Sequence, residues 1–403
     1  MRFFGARRMV LSRISGIGPS ARLLLVCSLP LVGLIIGLAV AQFVPQRRAL
    51  LSELNNFTAE QHFALRIMLM GTSRQVEHMR LTVERHIVME SRSFSEANAR
   101  EFRSVDVPLK TGSLAGVEWA PGSTAREDGN IFGIPELLQL RGDEAGPVDA
   151  GLELLSMLKL DQIVGTNARW SYFMPASANF VVLYPGASLT ELVQDLAERF
   201  SFKDMRQLLE LWQSYPVYQL GRPRHNTNRV PYWTDIYEDA GGTGPMVSHA
   251  APVYVRDQFY GVVAADVLLS AFDAILTPMK QPVGMVAILN NHNEILGMNG
   301  MAFGGDLKKM REYLFADGLA QKILALTTDS DFTQVDDNWV ISRVGPYSGY
   351  RLIYVLPNSD LNPYLLPHII SYALILCGLV ATLAGILHFL HRSYILPSFR
   401  LAD

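Results

Sequence analysis

The sequence predicts an α+β protein: a long N-terminal stalk helix, then two modules with antiparallel sheets, flanked by two transmembrane helices. Three observations carry that expectation. Residues 23–44 and 365–390 are apolar runs almost free of ionisable side chains. Residues 46–90 repeat apolar side chains at three- and four-residue steps or multiples of them. The stretch between breaks into short apolar runs punctuated by Gly, Pro, Asn and Asp.

Composition agrees. Hydrophobic residues make up 49% and charged residues 18%, with a mean hydropathy of +0.16, which excludes a disordered or fibrous chain. A net charge of −3, from 35 basic and 38 acidic residues, offers no global basic surface to nucleic acid. The 2 cysteines are too few for a disulfide framework or a cysteine-only zinc site.

The first apolar run spans 22 uncharged positions. At about 1.5 Å per residue it crosses a hydrocarbon core of roughly 30 Å. It exceeds the apolar core of a signal peptide and lacks a clean small-x-small cleavage site, so it reads as an uncleaved anchor. The ionisable residues of the second run are His368 and His388. Arg2, Arg7, Arg8, Arg13 and Arg22 precede the first run, and no acidic residue appears before Glu53. The positive-inside rule places residues 1–22 in the cytoplasm, against a weaker pull from Arg47 and Arg48. Two spans return residues 391–403, with His391, Arg392 and Arg400, to the same side, and residues 45–364 lie outside. Cys27 and Cys377 both fall within the spans, as an oxidising outer compartment tolerates.

In chain order, residues 45–90 form the stalk, with Leu50, Leu54, Phe57, Leu65, Met68, Val76, Met79, Val83 and Ile87 as its apolar stripe. That stripe either packs on the modules or also serves a second copy of the chain. The first module covers 91–280. Phe180-Val-Val-Leu-Tyr184 is a strand ended by Pro185-Gly186, and Ser188-Leu-Thr-Glu191 is a capping box opening a helix to about residue 200. A second helix covers 203–214. Strands at 246–255 and 259–267 form a hairpin around Arg256-Asp257-Gln258, and 268–279 is helical. The second module covers 281–364, with strands at 283–289, 294–298, 339–344 and 350–356 and a helical region at 307–326. Strand, strand, helix, strand, strand gives an antiparallel sheet with helices on one face.

Tyr232-Trp-Thr-Asp-Ile-Tyr237, Asp239, Met246-Val-Ser-His-Ala-Ala-Pro-Val-Tyr254 and Phe259-Tyr-Gly-Val-Val-Ala-Ala-Asp266 together resemble the core signature of the double Cache sensor domain. The likeness extends to the order span, stalk, two PAS-like modules, span. It implies an extracytoplasmic sensor in a bacterial inner-membrane receptor. The membrane-distal module would bind a small molecule, and a homodimer would pass the signal to a cytoplasmic output domain or partner kinase. A histidine kinase is the favoured output, with a diguanylate cyclase or chemoreceptor tail as alternatives. An anchored extracytoplasmic enzyme or a scaffold is the rival from another class. No cofactor is implied.

Aromatic walls with a few placed charges suit a small polar ligand. Arg169, Trp170 and Tyr172 precede the strand at Phe180, and Tyr232, Trp233, Tyr237 and Asp239 lie in the loop before the hairpin that ends in Asp266. Arg169 would take a carboxylate in a bidentate manner, and an aspartate would take an ammonium. The resemblance implies this division of labour for amino-acid-binding members. Here the element reads Arg169-Trp170-Ser171-Tyr172, out of the family's order, while Tyr237, Asp239 and Asp266 match better.

Other motifs read as structural. His388 and His391 sit one helical turn apart at a membrane boundary. Arg222, Arg224, His225 and Arg229 form a solvated loop, His249 a core or pocket position, Gly241-Gly-Thr-Gly244 a turn, and Asp336-Asp337 is too sparse for a calcium loop. Walker, nucleophile-elbow and His-Glu-x-x-His motifs are absent from the sequence.

Overall fold

The computed structural model describes residues 33, 37–38, 41–89, 101–110, 112–119, 125–139, 146–164, 168–276, 283–326, 331–345 and 348–390. Most of the expected first span and residues 1–22 and 391–403 lie outside these. The chain divides into two compact units. The larger, 57–335 with 340–355, holds the first sheet and most of the second. The smaller comprises 1–56, 336–339 and 356–403.

In the smaller unit, helix α10 (Asn358–Leu390) is, among the described residues, the one helix long and apolar enough to cross a membrane. Its mean hydropathy reaches 2.3 and none of that apolar window is buried. Ile370, Leu374, Ile375, Leu379 and Phe389 are exposed along it.

Helix α1 (Phe43–Met89) runs 47 residues. Its stripe faces inward: Leu54, Leu65, Val76, Met79 and Val83 are fully buried. Within the larger unit, Val76, Met79, Val83 and Ile87 join the core behind the first sheet. The expectation that this stripe also serves a second copy is corrected, because the chain itself consumes it. The apolar residues left exposed on α1 are others, Phe63, Ile67, Leu81 and Val88 among them.

The first sheet is nine-stranded, in the order β1-β2-β3-β5-β4-β9-β8-β6 with β7 also on β8. Its strands are β1 (Arg103–Pro108), β2 (Ser113–Glu118), β3 (Asn130–Gly133), β4 (Trp170–Pro175), β5 (Phe180–Tyr184), β6 (Tyr232–Trp233), β7 (Tyr237–Glu238), β8 (Pro245–Val255) and β9 (Gln258–Leu268). A single helical turn, α2 (Ala125–Asp128), precedes β3, and α3 (Gly146–Val164) precedes β4. Period-two alternation divides the side chains cleanly. Ile131, Phe173, Val182, Val263 and Ala265 face α1 and α3 at the back, while Phe132, Tyr172, Val181, Val262 and Ala264 face forward. The front is covered by α4 (Leu189–Ala197), α5 (Met205–Gln213) and α6 (Pro216–Gln219). Gly151 lets α3 approach closely, since a Cβ there would lie 2.7 Å from Val182 Cγ2.

Two sequence expectations change here. Trp170 and Tyr172 precede the strand at Phe180 as expected but themselves lie on another strand, β4, and Tyr232 to Asp239 is not a plain loop but carries the short strands β6 and β7. The hairpin β8–β9 and the Ser188 cap follow expectation, with Ser188 Oγ accepting from Glu191 N at 3.2 Å.

After α7 (Leu269–Leu276) comes the second sheet, ordered β11-β10-β14-β13-β12. Its strands are β10 (Met285–Leu289), β11 (Ile295–Gly300), β12 (Thr333–Val335), β13 (Asn338–Val344) and β14 (Arg351–Pro357). The expected single helical region is two helices, α8 (Leu307–Phe315) and α9 (Leu319–Leu324), split where Asp317 and Gly318 take positive φ of 50° and 71°.

Candidate functional site

A cavity of about 110 Å³ lies between the front of the first sheet and its helical cover. One water needs roughly 10–15 Å³ by this measure, so the space admits several waters or a small organic molecule. Strands supply its floor through same-face residues: Trp170, Tyr172 and Met174 on β4, Val181 and Leu183 on β5, Asp266 on β9. Leu192 and Leu196 on α4 and Trp212 on α5 close it from above, with Tyr215 and Val217 beyond and Tyr237, Asp239, Ala240 and Gly241 at one side. The position of α4 is fixed at its N-terminus, where buried Glu118 Oε2 accepts from Leu189 N at 2.9 Å.

Asp266 is the chemical centre, with 2% of its surface exposed. Cross-strand pairing sets Trp170 on one side of it and Ser248 on the other. Tyr172 OH donates to its Oδ1 at 2.8 Å, and Ser248 Oγ donates to the same atom at 2.5 Å. Tyr237 OH lies 2.5 Å from Ser248 Oγ and 3.4 Å from Oδ1. Since the Ser248 proton goes to the carboxylate, Tyr237 donates to Ser248. Three hydroxyls thus crowd Oδ1, while Oδ2 takes no hydrogen bond among the described residues. Burial raises the Asp266 carboxyl to about 7, the hydroxyl bonds opposing and the charge of Asp239 adding to the rise. Burial also holds the Tyr172 and Tyr237 phenols far above their ordinary value, so both remain donors.

Asp239 lines the same cavity but is occupied otherwise. Its Oδ1 accepts from Gly241 N at 3.1 Å, and its Oδ2 from Thr243 N at 2.9 Å and Thr243 Oγ1 at 2.6 Å. It builds the turn that the glycine run 241–244 requires.

Of the eight residues singled out by sequence, Trp170, Tyr172, Tyr237, Asp239 and Asp266 meet in the cavity. Three do not line it. Arg169 is exposed, with its guanidinium carbon 4.7 Å from the Trp170 ring centre, a cation–π contact on the indole rather than an anchor inside. Tyr232 sends its hydroxyl to Val217 O at 2.5 Å. Trp233 has the opposite strand parity and packs behind the sheet on His249, centroids 4.7 Å apart, and on Tyr350, just before β14, at 5.3 Å. Sequence reasoning missed Ser248, Trp212, Tyr215 and Phe132. Ser248 was within reach, because a three-residue turn centred on Asp257 already pairs position 248 with 266.

The fold is similar to chemoreceptor ligand-binding domains. One is that of the Pseudomonas aeruginosa amino acid chemoreceptor PctC in complex with GABA, at 14% identity and TM-score 0.38, covering 76% of this chain and 99% of that one. Another is that of Pseudomonas fluorescens CtaA in complex with L-serine, at 17% and 0.32, covering 52% and 80%. A third is the sensory domain of Campylobacter jejuni Tlp3 with isoleucine bound, at 12% and 0.33, covering 75% and 98%. No protein-family model and no curated protein matches the chain.

The strip from Tyr232 to Tyr237 links the first sheet to the loops that flank β10, β11 and β14 of the second. Besides Trp233 on Tyr350, Asp235 pairs with His292 Nδ1, and Ile236 N donates to Glu294 Oε2 at 3.2 Å. Four residues along, Tyr237 reaches the Asp266 cluster. Behind the sheet, Gln75 Nε2 of α1 donates to Ser171 Oγ at 3.1 Å, on the strand position between Trp170 and Tyr172. Burial lowers His249 to about 4, so it is neutral in this packing.

Proposed function

We propose that residues 45–364 form the extracytoplasmic sensing region of a bacterial inner-membrane receptor of the double Cache kind, taking a small molecule into the cavity of its first module. The observation that carries this reading is the cavity itself: an aromatic chamber whose one deeply buried carboxylate keeps an oxygen free. Ligand binding and signal transmission, rather than chemistry, are its task. Two spans, at 23–44 and 365–390, hold it in the bilayer, with residues 391–403 leading toward a cytoplasmic output, a histidine kinase by preference, or a diguanylate cyclase or chemoreceptor tail. A homodimer forms through the exposed face of α1 around Phe63, Ile67, Leu81 and Val88 instead of the buried stripe. A ligand favouring one conformation by a few kcal/mol would shift such a pair between two states.

The test uses the full chain in nanodiscs. Trp170 and Trp212 wall the cavity, so a bound ligand should change tryptophan emission and raise the melting temperature. Ligand at a hundredfold excess over its Kd adds about 2.7 kcal/mol. The screen covers amino acids, amines, carboxylates and purines. If none moves either signal, the cavity is not a receptor site and the scaffold reading takes over. Single cysteines at positions 63, 67, 81 and 88 should crosslink between copies, and cysteines at 65, 76 and 83 should not. A reporter active only outside the cytoplasm should work when fused after Glu90 and fail after Arg400.

A further inference from the structure

Resting on that reading, we infer that the ligand is an organic cation, a small amine with an apolar or aromatic body and no carboxylate. Every charged side chain among the described residues lining the cavity is acidic, Asp239 and Asp266. Arg169, the residue expected to hold a carboxylate, lies outside the lining on the far side of the Trp170 indole. Arg199, the guanidinium nearest the turn, also stays outside, donating to Ala240 O at 3.5 Å. An α-amino acid or a carboxylic acid entering this chamber would bury an anion beside two carboxylates with no cation in the described lining; Arg199 packs against Gly242 at the rim, its charge reaching only as far as Tyr215. Burial of an unpaired charge is among the most costly events in a protein interior.

A cation meets the opposite situation. Six rings, those of Phe132, Trp170, Tyr172, Trp212, Tyr215 and Tyr237, surround the space. Aromatic faces attract a positive charge most strongly where water is excluded. Asp266 supplies one counter-charge, with Oδ1 held by Tyr172 and Ser248 and Oδ2 free for an ammonium hydrogen. Because Asp239 is tied into its own turn, it contributes field rather than a direct bond. The remaining lining, Met174, Val181, Leu183, Leu192, Leu196 and Met246, accommodates hydrocarbon.

The experiment compares matched triples by titration calorimetry and tryptophan emission on the full chain in nanodiscs: phenethylamine, phenylalanine and 3-phenylpropionate, then butylamine, norvaline and valerate. In each triple the amine should bind at least about tenfold more tightly than the amino acid, with the carboxylate weakest. Asp266→Asn should weaken the amine about a hundredfold while leaving a cooperative melting transition. Leu192→Arg, on the half-exposed face of α4, supplies the missing cation and should move preference toward the amino acid. Tighter binding of an amino acid or carboxylate to the wild-type protein overturns the cation assignment and leaves the receptor reading standing. Amine binding unchanged in Asp266→Asn also overturns it. Silence of all six compounds overturns the cation assignment, while the cavity reading falls only if the wider screen is silent as well.

Discussion

The two sheets share one layer scheme, a sheet with helices across its front, and use it to opposite ends. In the second, Met285, Ala287 and Leu289 from β10 meet Met310, Leu314 and Ile323 from α8 and α9 in a packed apolar core, bordered by Arg351 donating to Ser342 Oγ and Leu326 O. In the first, large rings hold the helical layer off the strands around Asp266, and an enclosed space remains. The difference lies in which residues stand at the front-facing positions. Aliphatic side chains from both layers fill the gap between them. Trp170, Tyr172 and Trp212 line the space instead, and a buried carboxylate with its hydroxyl partners cannot be packed by hydrocarbon without leaving polar atoms unmet. A cavity is therefore tolerated where filling it would cost more than leaving it open.

The comparison can be broken at several points. Leu314→Ala should cost the most, about 2–5 kcal/mol, because a fully buried side chain in the solid core leaves a void. Chemical denaturation measures this, and a loss under 1 kcal/mol would mean that the second core is not tightly packed. Amine affinity of the folded variant should be unchanged.

Asp266→Asn should come next, and its sign depends on pH. The folded carboxyl sits at about 7 against an ordinary 3.8. The folded state therefore holds a proton that the unfolded chain has already released, and the Asp266 contribution to stability falls as pH rises from about 4 to about 7. Asparagine carries no such penalty. The variant should gain on the order of 2–4 kcal/mol relative to wild type at pH 8 and little or nothing near pH 4, read from denaturation at both values. Amine affinity of the wild type should climb through the same region, by up to about tenfold per pH unit below 7, as Asp266 ionises among Tyr172, Ser248, Tyr237 and Asp239. A flat profile on both counts contradicts the buried-acid account.

Val181→Phe probes the open space directly. Val181 projects from β5 into the cavity, so a larger side chain finds room. Stability should change by about 1 kcal/mol or less, while amine binding is abolished; an overpacked core would instead lose roughly 1–3 kcal/mol. Smallest of all should be Tyr350→Phe. The Tyr350 hydroxyl is buried without a hydrogen-bond partner among the described residues. Its removal should be neutral or slightly stabilising, within about 1 kcal/mol. A loss of 2 kcal/mol or more would reveal a bridging water behind the first sheet.

Much of this was legible in the residues. The helical stripe of α1, the capped α4, the hairpin β8–β9 and the strands of the second sheet carry strong local signals, and hairpin arithmetic alone aligns Ser248 with Asp266. Spacing of two along β4 puts Trp170 and Tyr172 on one face. Other parts were hidden for physical reasons. Strands β1 to β3 are short and partly polar, and the apolar pattern of α3 is blurred because Leu160 lies on its exposed face while Asp149 is buried. Trp212 and Tyr215 belong to an ordinary amphipathic helix end until the sheet beneath is known. Arg169, Tyr232 and Trp233 have the right chemistry, and only strand parity and neighbouring packing exclude them from the lining.

The strip that crosses between the sheets has one more property. Tyr232 and Trp233 face Ala250 and His249 on β8, while Tyr237 and Glu238 face Met246 and Pro245. Between the two pairings, Thr234, Asp235 and Ile236 stand opposite only Val247 and Ser248. That surplus residue reverses the side on which the side chains of β7 emerge. It permits Trp233 to look backward to Tyr350 while Tyr237, an even number of positions later, looks forward to Asp266. Remove one residue there and Tyr237 would face the rear, leaving the Asp266 cluster without one of its hydroxyls. Length in this strip is thus a constraint separate from composition. Substitutions among these three residues alter contacts, but a deletion turns β7 over while β8, held in its own register by β9, stays as it is.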